Sequence, residues 1–412
     1  MKKQVVITGM GVVTPLGNKV EGFWGNLRNG VNGITTQDWL VEAGYASSVG
    51  GAVMEPVNID ELVEAKEARR MDPFTRYAIH AADQAVRQSG LDMNAEDPAR
   101  VGVLIGSGVG GLHVFEEQAK NLARSHRRVS PFFIPMLIPD IAAGFVSIIW
   151  GMQGINYSIS SACATASHAI GNSLRAIRYG DADVMVCGGA DASLTPIGYA
   201  GFCNMKALST NPDPNTASRP FDRERDGFVM GEGAGIFVLE SREHAEARGA
   251  EILAELAGFG MTGDAHHITS PPPGHTGAVR AMHMAMADAE LTPADIDYIN
   301  AHGTSTPAND KNESQALRTV FGKYADTVAI SSTKSMTGHL LGASGGVELA
   351  ASVCAIRDGV VPPTVNYQTP DPDCDLNYTP NTAIERSLTN VLSNSFGFGG
   401  HNAVLAVRAF KG

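Results

Sequence analysis

Residues 161–177 read SACATASHAIGNSLRAI, and residues 337–356 read TGHLLGASGGVELAASVCAI. Each is a small-residue turn that opens into an apolar, helix-like stretch, and each stretch ends at a glycine, Gly180 or Gly359. Outward from this pair, other segments match. VVITGMGVVT (5–14) resembles LAELAGFGMT (253–262): both are strand-like and carry a Gly-x-Gly. The halves close with apolar, glycine-rich strands, DVMVCGGAD (183–191) and NSFGFGGHNAVLAV (394–407). Strand-like RVGVLIGSG and GIFVLE alternate with helix-like DPFTRYAIHAADQAVRQSG and GAVRAMHMAMADAEL, the latter stopping before a cap-like TPAD. The pattern predicts an α/β chain built from a duplicated unit, residues 1–250 and 251–412, with no linker or low-complexity tract between them.

Composition narrows the function. The 412 residues are 43% hydrophobic and 18% charged, enough for a large shared core. Thr8, Gly9, Gly11, Thr14 and Pro15 punctuate the first apolar run, so it does not read as a signal peptide. No stretch approaches the roughly 18 apolar residues of a membrane helix. The five cysteines (163, 187, 203, 354 and 374) are scattered without a CxxC pair, which argues against a disulfide framework or thiolate zinc site and fits a reducing cytosol. A net charge of −12 argues against general nucleic-acid binding, while leaving room for a local basic patch.

Cys163 is placed where a helix begins. Unpaired N–H groups and a partial positive charge there favour a thiolate. Ala162, Ala164 and Ala166 leave space around it, although a buried cysteine is also simply a small hydrophobe. Cys187 reads as strand core. His302 follows apolar IDYIN in NAHGTSTPAND, and His339 precedes the second helix at a place that matches Cys163 in the first half. A cysteine with two imidazoles suits acyl transfer, the thiol attacking and neutral imidazoles donating to developing negative charge. Lys334 and Glu348 flank His339 as supporting groups. Metal binding competes for the histidines, including His266 and His267, but no HxxxH or HExxH spacing occurs, and no metal is expected.

Two glycine motifs mimic other chemistries. GSGVGG (106–111) follows a strand, yet SHRRVSPFF stands where a dinucleotide site needs an acidic residue. GASGG (342–346) has the GxSxG form of a hydrolase elbow but no strand before it, so Ser344 reads as packing. In NSFGFGGHN, glycines on both sides of Phe398 permit a mobile aromatic loop bordering a site; a glycine-bent strand with aromatic packing is the alternative.

The ordered set of an ACATA-type elbow, HGTSTP and KSMTGHLLGASGG resembles the β-ketoacyl-[acyl carrier protein] synthases, nearest the bacterial synthase II group. The resemblance runs from VVITGMGVVTPLGN through SRPFDRERDGFVMGEGAG to NSFGFGGHN. It implies a thiolase fold, two similar halves in five layers α-β-α-β-α, and a homodimer. It implies decarboxylative condensation of an acyl-enzyme thioester with malonyl-[acyl carrier protein], without metal or redox cofactor, the phosphopantetheine arriving on the carrier. By position, Cys163 matches the acyl-accepting nucleophile, His302 and His339 the pair that binds the malonyl thioester, Lys334 the ordering lysine and Glu348 the buried acid. Backbone N–H groups of Cys163 and Phe398 match the oxyanion hole, with Phe398 also the gate, and Thr304 and Thr306 match the pantetheine-binding threonines. Lys66, Arg69, Arg70, Arg127, Arg128 and Lys206 fall where the family docks its acidic carrier. The elbow is closer to synthase I, His401 stands where threonine is usual, and Asn309 where glycine is common. A freestanding ketosynthase of polyketide or specialised lipid synthesis is the alternative. A non-catalytic partner would lack Cys163, and a biosynthetic thiolase would carry a second cysteine near GFGGHN.

Overall fold

In the computed structural model, which describes residues 2–411, the apolar runs form ten strands of one sheet. The first half supplies β1 (Val5–Val13), β2 (Val101–Gly106), β3 (Asn156–Tyr157), β4 (Val184–Asp191) and β5 (Gly233–Ser241). The second supplies β6 (Ala254–Gly263), β7 (Tyr298–Asn300), β8 (Ala329–Ser331), β9 (Asn390–Gly397) and β10 (His401–Arg408). Their order is β3-β2-β4-β5-β1-β6-β10-β9-β7-β8. Adding five to each strand of the first half gives the second, mirrored about the β1–β6 join. Directions repeat as well: β2 runs parallel to β3 and β4, as β7 does to β8 and β9. In turn β5 is antiparallel to β4 and β1, and β10 to β9 and β6. Within the sheet the two halves pair through Val6 opposite Glu255 and Ile7 opposite Ala254.

The period-two alternation of the strands sorts side chains into layers. Leu104, Met185, Cys187, Phe237 and Leu239 face a central core with helices α3 (Thr165–Tyr179) and α6 (Ser344–Asp358). Their neighbours Val103, Ile105, Val186, Ile236 and Val238 face outward onto α1 (Pro73–Ser89) and α2 (Ile141–Trp150). In the second half Val391, Leu405 and Val407 point inward, while Ile299, Leu392 and Val404 pack on α4 (Thr276–Asp288) and α5 (Pro307–Phe321). The result is the α-β-α-β-α arrangement. Among the described residues, no helix is long and apolar enough to cross a membrane.

The repeated Gly-x-Gly has a steric cause. A Cβ on Gly9 or Gly11 would lie 2.0 Å from the carbonyl oxygen of Ala85 or Ala81, on α1. The second half repeats this: Gly258 and Gly260 would meet the carbonyl oxygens of Ala285 and Ala281 on α4, at 2.4 and 2.0 Å. Each outer helix thus lies flat against its sheet through an alanine face on bare backbone. Gly11→Ala and Gly260→Ala should each lower stability by roughly 1–3 kcal/mol, since backbone must move to admit the methyl. The urea midpoint measures this. Gly25→Ala, on a helix with open space around that position, should be neutral or stabilising.

Candidate active site

Cys163 lies in the turn Ala162–Ala164 that precedes α3, and the turn Leu341–Ala343 precedes α6 in the same way. The first residue of each, Ala162 or Leu341, has φ of +50°. That left-handed conformation costs an L residue roughly 1–2 kcal/mol. It swings the next residue to the head of the helix. In the first half that residue is Cys163. In the second it is Gly342, not His339 as the sequence match suggested; His339 precedes Gly342 by three residues and bridges Met230 instead. A Cβ at Gly342 would lie 2.5 Å from both Asp191 Oδ2 and Gly108 N, so this elbow has no room for a side chain.

Asp191 ends β4 and is fully buried. It accepts hydrogen bonds from Ser107 Oγ (2.5 Å), Gly108 N (3.1 Å), Val109 N (3.3 Å) and Gly342 N (2.6 Å). Burial raises its carboxyl to about 6 against the pull of these donors. The backbone donors at the start of GSGVGG, which a pyrophosphate would require, therefore point at the protein's own carboxylate.

His302 follows β7, its backbone fixed at both ends. Glu313, buried on α5, accepts from His302 N and Gly303 N, each at 2.8 Å. Lys334 Nζ donates to His302 O at 2.7 Å and also to Glu348. Lys334 and Glu348 are thus tied to the strand end bearing His302 rather than to the His339 ring. Ser344 is more than packing: its hydroxyl lies 2.9 Å from His339 Nδ1. The two imidazoles stand at 85° with ring centres 5.4 Å apart. Burial, and then the Lys334 charge, hold both well below the usual histidine range, so both are neutral. The Cys163 sulfur and one nitrogen of each ring all lie within 4.8 Å of one another.

One cavity is lined by these three residues together with Thr304, Thr306, Asn309 and Phe398, and its apolar wall includes Val109, Phe202, Phe228 and Leu341. Thr304 and Thr306 hydroxyls are 2.9 Å apart, and Thr306 also caps α5. Asn309 Nδ2 reaches Glu313 at 3.3 Å, and His401 lies edge-on to the His168 ring. Lys66, Arg69, Arg127, Arg128 and Lys206 are exposed. Arg70 stacks on Phe132 at 3.8 Å, linking the residue 66–70 segment to the start of the helix Phe133–Leu137 that follows the turn His126–Arg128. Local spacing gave no sign of Asp191, Glu313 or His275. His275, buried beside the Phe396 ring (4.6 Å), meets Asn402 Oδ1 at 3.1 Å from 127 residues away.

Burial pushes the Cys163 thiol up to about 12, outweighing the Lys334 charge and the N–H groups of Phe398 and Cys163 that pull it down. The helix-end thiolate expected from sequence is therefore a protonated thiol at rest. Alkylation of Cys163 by iodoacetamide should rise about tenfold per unit from about pH 7 to 10, because only the thiolate reacts. Mass spectrometry of the Cys163 peptide measures it. A plateau below about pH 8.5 would contradict the assignment.

Comparisons with known proteins identify the family. Residues 2–245 match the family description "Beta-ketoacyl synthase, N-terminal domain", and residues 253–368 match "Beta-ketoacyl synthase, C-terminal domain". The chain is 52% identical over 410 residues to 3-oxoacyl-[acyl-carrier-protein] synthase 2 of Staphylococcus aureus (strain COL), covering 99% of each chain. It is 48% identical over 412 residues to the protein of the same name from Synechocystis, covering 100% of this chain and 99% of the other. Among solved structures, a type II polyketide ketosynthase in complex with its acyl-carrier protein and bound to a hexaketide superposes with a TM-score of 0.93. Its sequence is 36% identical, with all of both chains covered. With the paired elbows, the buried lysine–glutamate pair and the thiol facing two neutral imidazoles already in view, the chain belongs to the β-ketoacyl synthase family.

Proposed function

We propose that the protein is a 3-oxoacyl-[acyl carrier protein] synthase of the second type, extending acyl chains in fatty acid synthesis. The observation that carries this reading is the convergence of the Cys163 thiol and two neutral imidazoles at one cavity. In the first half-reaction Cys163 Sγ attacks the acyl thioester of the carrier protein. The carbon–sulfur bond to the pantetheine arm breaks, and the thiol proton leaves with the departing carrier thiol. In the second, malonyl-carrier protein loses carbon dioxide as its carbon–carbon bond breaks. The resulting enolate attacks the acyl-cysteine, and the Cys163 sulfur leaves as a thiolate to give a 3-oxoacyl product, then takes a proton from solvent to restore the resting thiol.

Each group has a physical task in this scheme. With the Ser344 hydroxyl donating to His339 Nδ1, the proton of that ring sits on Nε2, which is buried without a partner and can donate to the malonyl thioester oxygen. His302 is the second donor, held by Lys334 and Glu313 through its backbone. Neutral imidazoles suit this task, because they stabilise an enolate without first having to lose a proton. Backbone N–H groups of Cys163 and Phe398 form the hole for the acyl oxyanion. Phe398, partly exposed between glycines, gates the thiol, and Thr304 and Thr306 hold the pantetheine arm. No metal or redox cofactor takes part. The chain divides near residue 250 into the half with the nucleophile and the half with the histidines.

Two surfaces extend the reading. Lys66, Arg69, Arg70, Arg127, Arg128 and Lys206 form the docking face for an acidic carrier protein, although the chain as a whole is acidic. The free edge strand β3 is exposed at Asn156 and Tyr157, near apolar side chains such as Ile148, which is 76% exposed. A second copy covers this edge in a cytoplasmic homodimer.

Cys163→Gln should keep malonyl decarboxylation and abolish condensation, since the amide imitates an acylated cysteine. His302→Ala and His339→Ala should lose both by roughly 10²-fold. Carbon dioxide release and product mass measure these separately, and product masses from an acyl series distinguish fatty acid elongation from polyketide extension. Undiminished decarboxylation in either histidine variant would remove the proposed role.

Replacing Lys66, Arg69 and Arg70 with glutamate should slow turnover of acyl-carrier protein, chiefly through association, and make the residual rate less sensitive to salt. Turnover of a pantetheine thioester should be unaffected. Equal losses with both substrates would mean that the patch is structural.

A further inference from the structure

We propose that Cys163, His302 and His339 also form a reversible inhibitory site for a soft divalent cation of the zinc class; this rests on the reading of Cys163 as the nucleophile. Their sulfur and ring nitrogens lie within 4.8 Å of one another, the only such group of three or more His, Cys, Asp or Glu among the described residues. A four-coordinate zinc ion holds nitrogen and sulfur at about 2.0–2.3 Å, so its ligand atoms sit roughly 3.3–3.7 Å apart. Side-chain shifts of about 1 Å would close the cluster around an ion, leaving a fourth position for water from the cavity.

The surroundings favour this. The Ser344 hydroxyl can also accept from His339 Nδ1–H; that tautomer leaves Nε2, buried without a partner, unprotonated as the ligand atom, the arrangement by which outer groups orient histidine ligands. Glu348 pairs with the buried Lys334 ammonium and offsets part of the charge that an entering cation meets. On binding, the sulfur–metal bond forms as the thiol proton passes to solvent; no electrons move. An acylated Cys163 has no thiolate to offer. The ion therefore captures only unloaded enzyme and competes with the acyl donor.

The test is titration of chelator-treated protein with Co²⁺ alone, because tetrahedral thiolate-bound Co²⁺ absorbs in the visible and shows a sulfur charge-transfer band in the near ultraviolet. One Co²⁺ per chain with both features is expected. The charge-transfer band should vanish in Cys163→Ser and in wild-type protein alkylated at Cys163, and affinity should fall at least tenfold in His302→Ala and His339→Ala. Zn²⁺ should protect Cys163 from iodoacetamide, and a chelator should restore reactivity. A band that persists after Cys163 is blocked, Co²⁺ uptake without the band, or unchanged affinity in both histidine variants would overturn the proposal. The alkylated wild-type sample guards against a variant that fails to fold. None of these readouts needs turnover, so the metal site and the condensation reading can fail independently.

Discussion

The buried carboxylate of Asp191 fixes how the two halves of the protein meet. It ends a strand of the first half, yet gathers N–H groups from its own half at Gly108 and Val109 and from the other half at Gly342. A carboxylate this deep is tolerable only with several donors around it. Those donors hold the second elbow against the first. With the elbows locked together, the Cys163 thiol and the His339 ring occupy one cavity although they are 176 residues apart.

This packing also explains the division of labour. The first elbow keeps a side chain at its turning point and so presents a thiol. The second gives up its side chain to approach Asp191, and its contribution comes from the segments around it. These supply His302 after β7, His339 before the turn, and Ser344 at the first residue of α6. The groups that meet at the cavity are thus unequal products of equal topology. Desolvation acts on all three in one direction, keeping a neutral thiol between two neutral rings, so reactivity waits for a substrate to enter.

Much of this was legible in the chain because it is local. Helix-period alanines, strand alternation and the twin Gly-x-Gly motifs are each written at short spacing within one element, and Cys163, His302 and His339 lie where elements end. Long-range pairings were not legible. Asp191 meets Gly342 across 151 residues and His275 meets Asn402 across 127, and no local spacing encodes either. The equation of His339 with Cys163 failed because the short turn before α6 moves the structural counterpart three residues on, to a glycine without chemistry. Ser344 was passed over because its partner, five residues away, is brought to it by that turn and not by helical periodicity.

The contact at Gly342 also limits what single substitutions can do to the second elbow. With glycine at the second elbow and Asp191 closed over it, no single substitution can place a side chain there. The smallest added group would meet the carboxylate and the Gly108 backbone at 2.5 Å. Restoring symmetry would require at least two changes made together, with an intermediate that has lost the joint between the halves. The two elbows therefore cannot be made alike one substitution at a time.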